Sequence, residues 1–150
     1  MIKPPSIQSE YTLIYSGDPS LNLPEVEAER DHALSQARQS GDWRALIREG
    51  EQPTLFQFGQ ITRTQRDWII GEMQRRELSP PELDALIVRV ALRRIDGLGS
   101  HKVVRARHQA AGFHLADEDT LNLLDSISAA IIPELSGAAW ERATNPLRPL

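Results

Sequence analysis

The sequence predicts a mainly α fold: a helical domain of about five to six helices with a small two-stranded β element and extended N- and C-terminal arms. Three observations carry this expectation. Residues 78–99 contain a helix start signal, an apolar face and a stop signal in one stretch. Apolar residues recur at helical spacing in several further segments, around residues 26–37, 68–73 and 121–131. Only short segments, residues 11–15 and 54–58, read as strands. The domain is expected over residues 25–150, with residues 1–24 as an arm and a tail from about residue 144.

At 150 residues the chain is long enough to bury a real core as one domain. Aromatic residues make up only 5%, so that core must be built mainly from Leu, Ile, Val and Ala. The absence of cysteine excludes disulfides, thiolate zinc sites and cysteine nucleophiles together. No apolar run approaches the roughly 18–20 residues that a membrane span needs, and the first residues lack the apolar core of a secretory signal. A net charge of −4 argues against a general nucleic-acid coat.

Pro4, Pro5, Pro19 and Pro24 keep residues 1–24 from forming helix, whereas Tyr11-Thr12-Leu13-Ile14-Tyr15 favours an extended strand. A short apolar strand needs a partner, so Tyr11, Leu13 and Tyr15 are candidates for contact with a neighbouring molecule. The alternative is that this strand closes on the chain's own residues 54–58. Residues 16–19 read as a turn. A first helix is expected from Asn22 or Leu23 to Ser40, its early acids Glu25, Glu27, Glu29 and Asp31 complementing the helix dipole. Asp42 caps a second, short helix over residues 43–49, with Trp43, Leu46 and Ile47 as core. Phe56 and Phe58 share one side of the next strand and Leu55 faces the other.

Thr62 with Gln65, or Thr64 with Asp67, offers the cap of a third helix reaching about Glu77, with Trp68, Ile69 and Met73 buried. The best-specified helix follows at once, and the two should form a hairpin. Ser79 acts as N-cap, Pro80 sits at N1 and Glu82 at N3 completes a capping box. Leu83, Leu86, Ile87, Val90 and Ala91 form its apolar face, and Gly97 is placed as the residue beyond its C-cap. Residues 97–116 lose periodicity and read as a loop with a short extended piece near Val103. Asp117-Glu118-Asp119 opens another helix with the stripe Leu121, Leu124, Ile127 and Ile131. Pro133 ends or kinks it, and a last helix over residues 136–143 carries Trp140.

No catalytic, cofactor-binding or metal-binding residue emerges. His101, His108 and His114 lack metal-ligand spacing, and the acids at 117–119 lack the central glycine and closing glutamate of a calcium loop. No nucleophile elbow, phosphate loop or dinucleotide fingerprint is present, so an enzyme is not expected. One charge feature stands out. Arg89, Arg93, Arg94, Lys102, Arg105 and Arg107 fall between residues 89 and 108 against one acid, Asp96. This run is a solvated face, an interface with an acidic protein partner, or a nucleic-acid contact, the last lacking stacking aromatics.

Taken in order, the sequence resembles small structural or assembly proteins from the head–tail and tail modules of tailed bacteriophages. The resemblance rests on Pro53-Thr54-Leu55-Phe56 leading into Ile61-Thr62-Arg63 and two amphipathic helices. It continues through Arg94-Ile95-Asp96-Gly97-Leu98, the segment from Leu121 to Pro133-Glu134-Leu135, and the ending Asn145-Pro146-Leu147. It implies a non-enzymatic virion protein, of the head–tail connector, neck or tail, that binds other phage structural proteins and copies of itself without a cofactor. A tail assembly chaperone and a small helical nucleic-acid-binding regulator are the alternatives. The implied location is the virion, and the host cytoplasm during assembly, with no membrane partner.

Overall fold

Alternating burial shows where the two strand-like segments go. Tyr11 and Leu13 are buried with Thr12 between them half-exposed, and Phe56 and Phe58 are buried with Gln57 between them half-exposed. In the computed structural model, which describes residues 10–144, these segments are β1 (Glu10–Leu13) and β2 (Leu55–Gly59), paired antiparallel with Tyr11 opposite Phe58 and Leu13 opposite Phe56. The expected pairing of the two segments is therefore present. A third strand, β3 (Leu92–Asp96), pairs with β2 on its other side, giving an antiparallel sheet in the order β1-β2-β3. Residues 10–24 are thus part of the fold rather than an arm; residues 1–9 and the expected tail after Thr144 lie outside the described residues.

The helices are α1 (Glu27–Ser40), α2 (Arg63–Arg76), α3 (Pro80–Ala91), α4 (Glu118–Ile127) and α5 (Ile131–Thr144). Together with a second small sheet, the hairpin of β4 (Arg105–Arg107) and β5 (His114–Ala116), they make a helix-rich fold with two small β elements. Helix α3 is the centre, packing against α2, α4, α5 and β5. Its start follows the sequence signals: Ser79 accepts from the Glu82 N–H, and the Glu82 carboxylate accepts from the Ser79 N–H. Thr62 and Gln65 form the same reciprocal cap on α2. Leu86, Ile87, Val90 and Ala91 are buried as expected, and so is Val88, because the C-terminal half of α3 is covered on nearly every side.

Five expectations give way, the first three of them to pairing. The first helix begins at Glu27, four or five residues late, because Leu21 bridges Ile47 and the Asn22 N–H donates to the Leu46 carbonyl at 2.7 Å. Those bonds also reduce the expected helix at 43–49 to a single 3-10 turn, Arg44–Leu46, although Trp43 is core. Helix α3 stops at Ala91 and turns directly into β3, since Leu92 onward is taken up by the ladder to β2. Gly97, read as a helix cap, instead makes the turn after β3 at φ 88°, where a Cβ would stand 3.3 Å from the Pro53 carbonyl oxygen. Pro133 neither ends nor kinks a helix. It lies in the first turn of α5, where its missing N–H would have no intrahelical partner.

Helix α4 keeps Leu121 and Leu124 in the core, whereas Ile127 is 54% exposed at its end. The segment after β1 ties into the bundle: the Ser16 N–H and hydroxyl both donate to the Glu134 carboxylate, and Arg38 pairs with the same group at 3.4 Å. The inner face of the three-stranded sheet, carrying Tyr11, Leu13, Phe56, Phe58, Leu92 and Ile95, joins one continuous apolar core with the helices. Its other face is polar.

Candidate interaction surface

The run of basic residues becomes two groups once folded. Arg89 and Arg105 point into the structure. The Arg89 Nε donates to the Ala116 carbonyl at 2.8 Å, and its Nη1 lies 3.4 Å from a Glu118 carboxylate oxygen. Arg105 reaches under the hairpin to the end of α3, donating to the carbonyls of Arg89 (3.3 Å), Val90 (3.2 Å) and Leu92, and to His114 at 2.7 Å. The last carbonyls of a helix have no intrahelical donors and carry partial negative charge, so a guanidinium placed there satisfies both needs. Burial, with Arg93 close by, pulls Arg105 down to about 10. These two arginines serve the fold and are withdrawn from the candidate contact residues.

Arg93, Arg94, Lys102 and Arg107 remain outward. The first two owe their placement to an irregularity in β3: Gln57 pairs with Arg94 and Phe58 with Leu92, so Arg93 is left over as a bulge. Leu92 and Ile95, three apart, are both buried as a result, and Arg93 and Arg94 stand between them on the side away from the core. Strict period-two alternation would have sent two adjacent arginines to opposite faces. Arg93 lies over Gly59 of β2; a Cβ there would collide with its guanidinium, 2.6 Å from Nη2 and 2.8 Å from Cζ.

Across the outer face of the sheet runs a polar ladder. The Thr12 hydroxyl donates to Gln57 Oε1 at 2.8 Å, the Gln57 amide to Asp96 at 3.4 Å, and the Arg94 Nε to Asp96 at 3.0 Å. Pairing with Asp96 raises Arg94 above its ordinary value. Opposite this face the segment 97–103 forms the second wall of a groove, which Glu10, Arg93, Arg94, Asp96, His101 and Lys102 help to line. That wall is fixed rather than loose. His101 Nε2 and the Thr120 hydroxyl are 2.7 Å apart, Thr120 donates to Asp117 Oδ1 at 2.7 Å, and Asp117 also accepts from the backbone N–H groups of Val104 and Thr120. Burial would raise Asp117, but the Thr120 hydroxyl and these N–H groups outweigh it and hold the carboxyl below its ordinary value.

This His–Thr–Asp chain has the residue types of a nucleophilic triad but the wrong order. Thr120 is fully buried, and the aspartate binds the threonine rather than orienting the histidine. It is a staple between the groove wall and α4. His108 packs on Trp68, with ring centroids 5.7 Å apart, and Phe113 on the same indole at 5.3 Å, which anchors the hairpin turn to α2. Among the described residues no group of three His, Asp or Glu side chains is placed to hold a metal ion, and no helix is long and apolar enough to cross a membrane.

Sequence reasoning also named Tyr11, Leu13 and Tyr15. Tyr11 is 7% and Leu13 2% exposed, both held by β2, and what remains accessible of them lines a cleft with Ser35, Arg38, Ala138 and Arg142. The Arg142 guanidinium sits 4.1 Å above the Tyr11 ring, and the phenolic hydroxyl, buried without a hydrogen-bond partner among the described residues, is pushed well above its usual range by desolvation. Tyr15 is half-buried with its hydroxyl 3.4 Å from that of Ser128. The segment 97–103 holds one expected contact residue, Lys102, whereas Gly59 and Gln57, beneath Arg93 and beside Asp96, were not expected. The signal available was the glycine at the end of an otherwise regular strand pattern, which marks a bulge or a close approach. Compared with protein-family models, curated proteins and solved structures, the chain matches none.

Proposed function

We propose that this chain is a non-enzymatic structural protein of a tailed bacteriophage virion, a head–tail, neck or tail component, that works by protein–protein contact. The observation that carries the reading is the groove on the open face of the sheet, where Arg93 and Lys102 form no ion pair among the described residues. A chain with a net charge of −4 has kept cations there that its fold does not consume. The phage resemblance gives this surface its context, and its motifs belong to the scaffold beneath it. Leu55 and Phe56 of one motif lie opposite Asp96 and Ile95 of another, and the Thr54 hydroxyl donates to the Gly97 carbonyl at 3.4 Å.

In this reading the helices supply a rigid body, and the basic face meets an acidic surface on another virion protein or on a second copy. The test is the mass of the purified protein in solution, together with charge reversal at Arg94, Lys102 and Arg107. A ring or defined oligomer that the triple reversal dissolves supports the virion component. A monomer whose behaviour is indifferent to the reversal overturns it and favours the chaperone alternative. Arg105 is excluded from the set, since its reversal would damage α3 rather than a contact.

A further inference from the structure

We infer that Arg93 is the anchor of the basic groove and receives a carboxylate from an acidic side chain of the partner protein. The inference rests on the proposed reading of this face as a protein contact. Two features of the backbone together seat this side chain. The bulge in β3 turns Arg93 to the outer face, and Gly59 leaves the space in which its guanidinium lies. Glycine in a strand weakens it and leaves no side chain to pack. Here the gap is filled by a side chain from the adjacent strand.

The surroundings leave the guanidinium exposed to an incoming anion. Arg105, beneath, repels it and already occupies the carbonyls at the end of α3. The carboxylate on its own strand, Asp96, is engaged by Arg94 and by Gln57. Arg93 therefore forms no ion pair among the described residues, and it lies half-buried over Gly59. Its planar fork matches a carboxylate through two parallel hydrogen bonds. Lys102, on the stapled opposite wall, adds a second cation to the same groove.

The groove suits separate carboxylates better than a continuous polyanion. Glu10 and Asp96 line it as well and would repel a phosphate backbone, whereas a polypeptide can place one Glu or Asp at Arg93 and neutral residues beside the acids. The aromatics that would stack on bases, Trp68 and Phe113, are packed against each other at the hairpin turn.

The experiment measures fluorescence anisotropy of a labelled peptide alternating Gly and Glu, with a short DNA duplex as the second probe, on the full chain at low salt. Wild type should bind the peptide. Arg93→Lys, which keeps the charge but loses the fork, should weaken it on the order of tenfold. Gly59→Ala leaves every charge in place yet displaces the guanidinium, and should weaken it similarly. Thermal melts establish that both variants are folded; where Gly59→Ala is not, Arg93→Lys decides alone. No peptide binding by wild type, wild-type affinity in Arg93→Lys, or preferential binding of the duplex would overturn the anchor. The last outcome replaces the protein partner with nucleic acid. If Arg93→Lys binds normally while reversal at Arg94, Lys102 and Arg107 still dissolves the oligomer, the anchor falls and the contact surface stands.

Discussion

Arg105 and Arg93 are twelve positions apart in the chain and neighbours in space, yet they are used in opposite ways. Arg105 spends its donors on backbone carbonyls at the end of α3 and on the hairpin, adding polar bonds to two elements that also pack together. Arg93 spends none on an ion pair among the described residues and lies in the space left by Gly59. Formal charge along the sequence is identical for the two. What separates them is the company each finds: a helix end without donors for one, an open sheet face for the other. A basic cluster in a sequence is therefore a mixed population, and burial and hydrogen bonding must sort it before any partner is assigned.

The hardest way to break the comparison is to remove the common support. Val90 is fully buried at the end of α3, next to the carbonyls that Arg105 holds. Val90→Asp would bury an unpaired carboxylate, a cost of several kcal/mol against a total stability of about 5–15 kcal/mol, and should leave no cooperative melt. Leu92→Ala, also fully buried, should cost about 2–5 kcal/mol and remain measurable by urea unfolding. A Leu92→Ala variant as stable as wild type would mean that the helix-to-strand junction is not core.

Arg105→Ala tests the inward arginine directly. It leaves the last α3 carbonyls without their donors, and hydrogen bonds to a charged group are worth about 1.5–3 kcal/mol. We expect a loss of about 2–3 kcal/mol, with faster amide exchange in residues 105–116, the hairpin it ties down. The same measurement on Arg107→Ala should show a change within about 0.5 kcal/mol, because Arg107 is exposed and forms no ion pair among the described residues. Equal losses in the two variants would erase the distinction between inward and outward cations.

The groove wall is a milder lever, and its sign follows from Asp117. This carboxyl sits below its ordinary value in the folded protein, so it contributes stability that is present above its unfolded value of about 3.9 and is lost as pH falls through the folded value. Asp117→Asn should cost about 1–2 kcal/mol at neutral pH through weakened bonds to Val104 and Thr120, and should flatten the acid limb of a stability–pH curve. An acid limb unchanged in Asp117→Asn would place the titrating group elsewhere.

Much of the fold was legible wherever the signal was local. The caps at Thr62 and Ser79, the apolar face of α3, the period-two patterns of the segments that become β1 and β2, and the burial of Trp43 all follow from residues a few positions apart. The rest was decided by distant partners. Nothing near Leu92 announces that β2 will claim it; the helical pattern runs on to Ile95, and the ladder to residues 55–58 overrides it. The hairpin of β4 and β5 is equally non-local, since Val103 and Val104 offered only a hint and the pairing depends on residues 114–116. For the candidate surface, the sequence located the charge but not its direction. Tyr11 and Leu13 shared the apolar pattern of an arm and of a sheet strand alike, and only the partner strand distinguishes the two.

The smallest expected change has the opposite sign and tests whether Tyr11 belongs to the core or to a contact. Its hydroxyl is buried with no hydrogen-bond partner among the described residues, while its ring packs on Phe58 at 6.0 Å and beneath Arg142. An unmet buried hydroxyl costs about 1–3 kcal/mol, part of which phenylalanine recovers while keeping the ring. Tyr11→Phe should therefore be neutral or more stable by up to about 1 kcal/mol, and should leave the solution mass and Glu-peptide binding unchanged. A loss of oligomer in this variant, with the melt intact, would return the first strand to the set of contact residues. A loss of stability would mean that the hydroxyl holds a partner, water included. Like Arg93→Lys, this variant changes no charge, but it lies on the inner face of the sheet. Binding that fell in both would reveal a general loosening of the sheet, whereas binding that fell only in Arg93→Lys isolates the outer face.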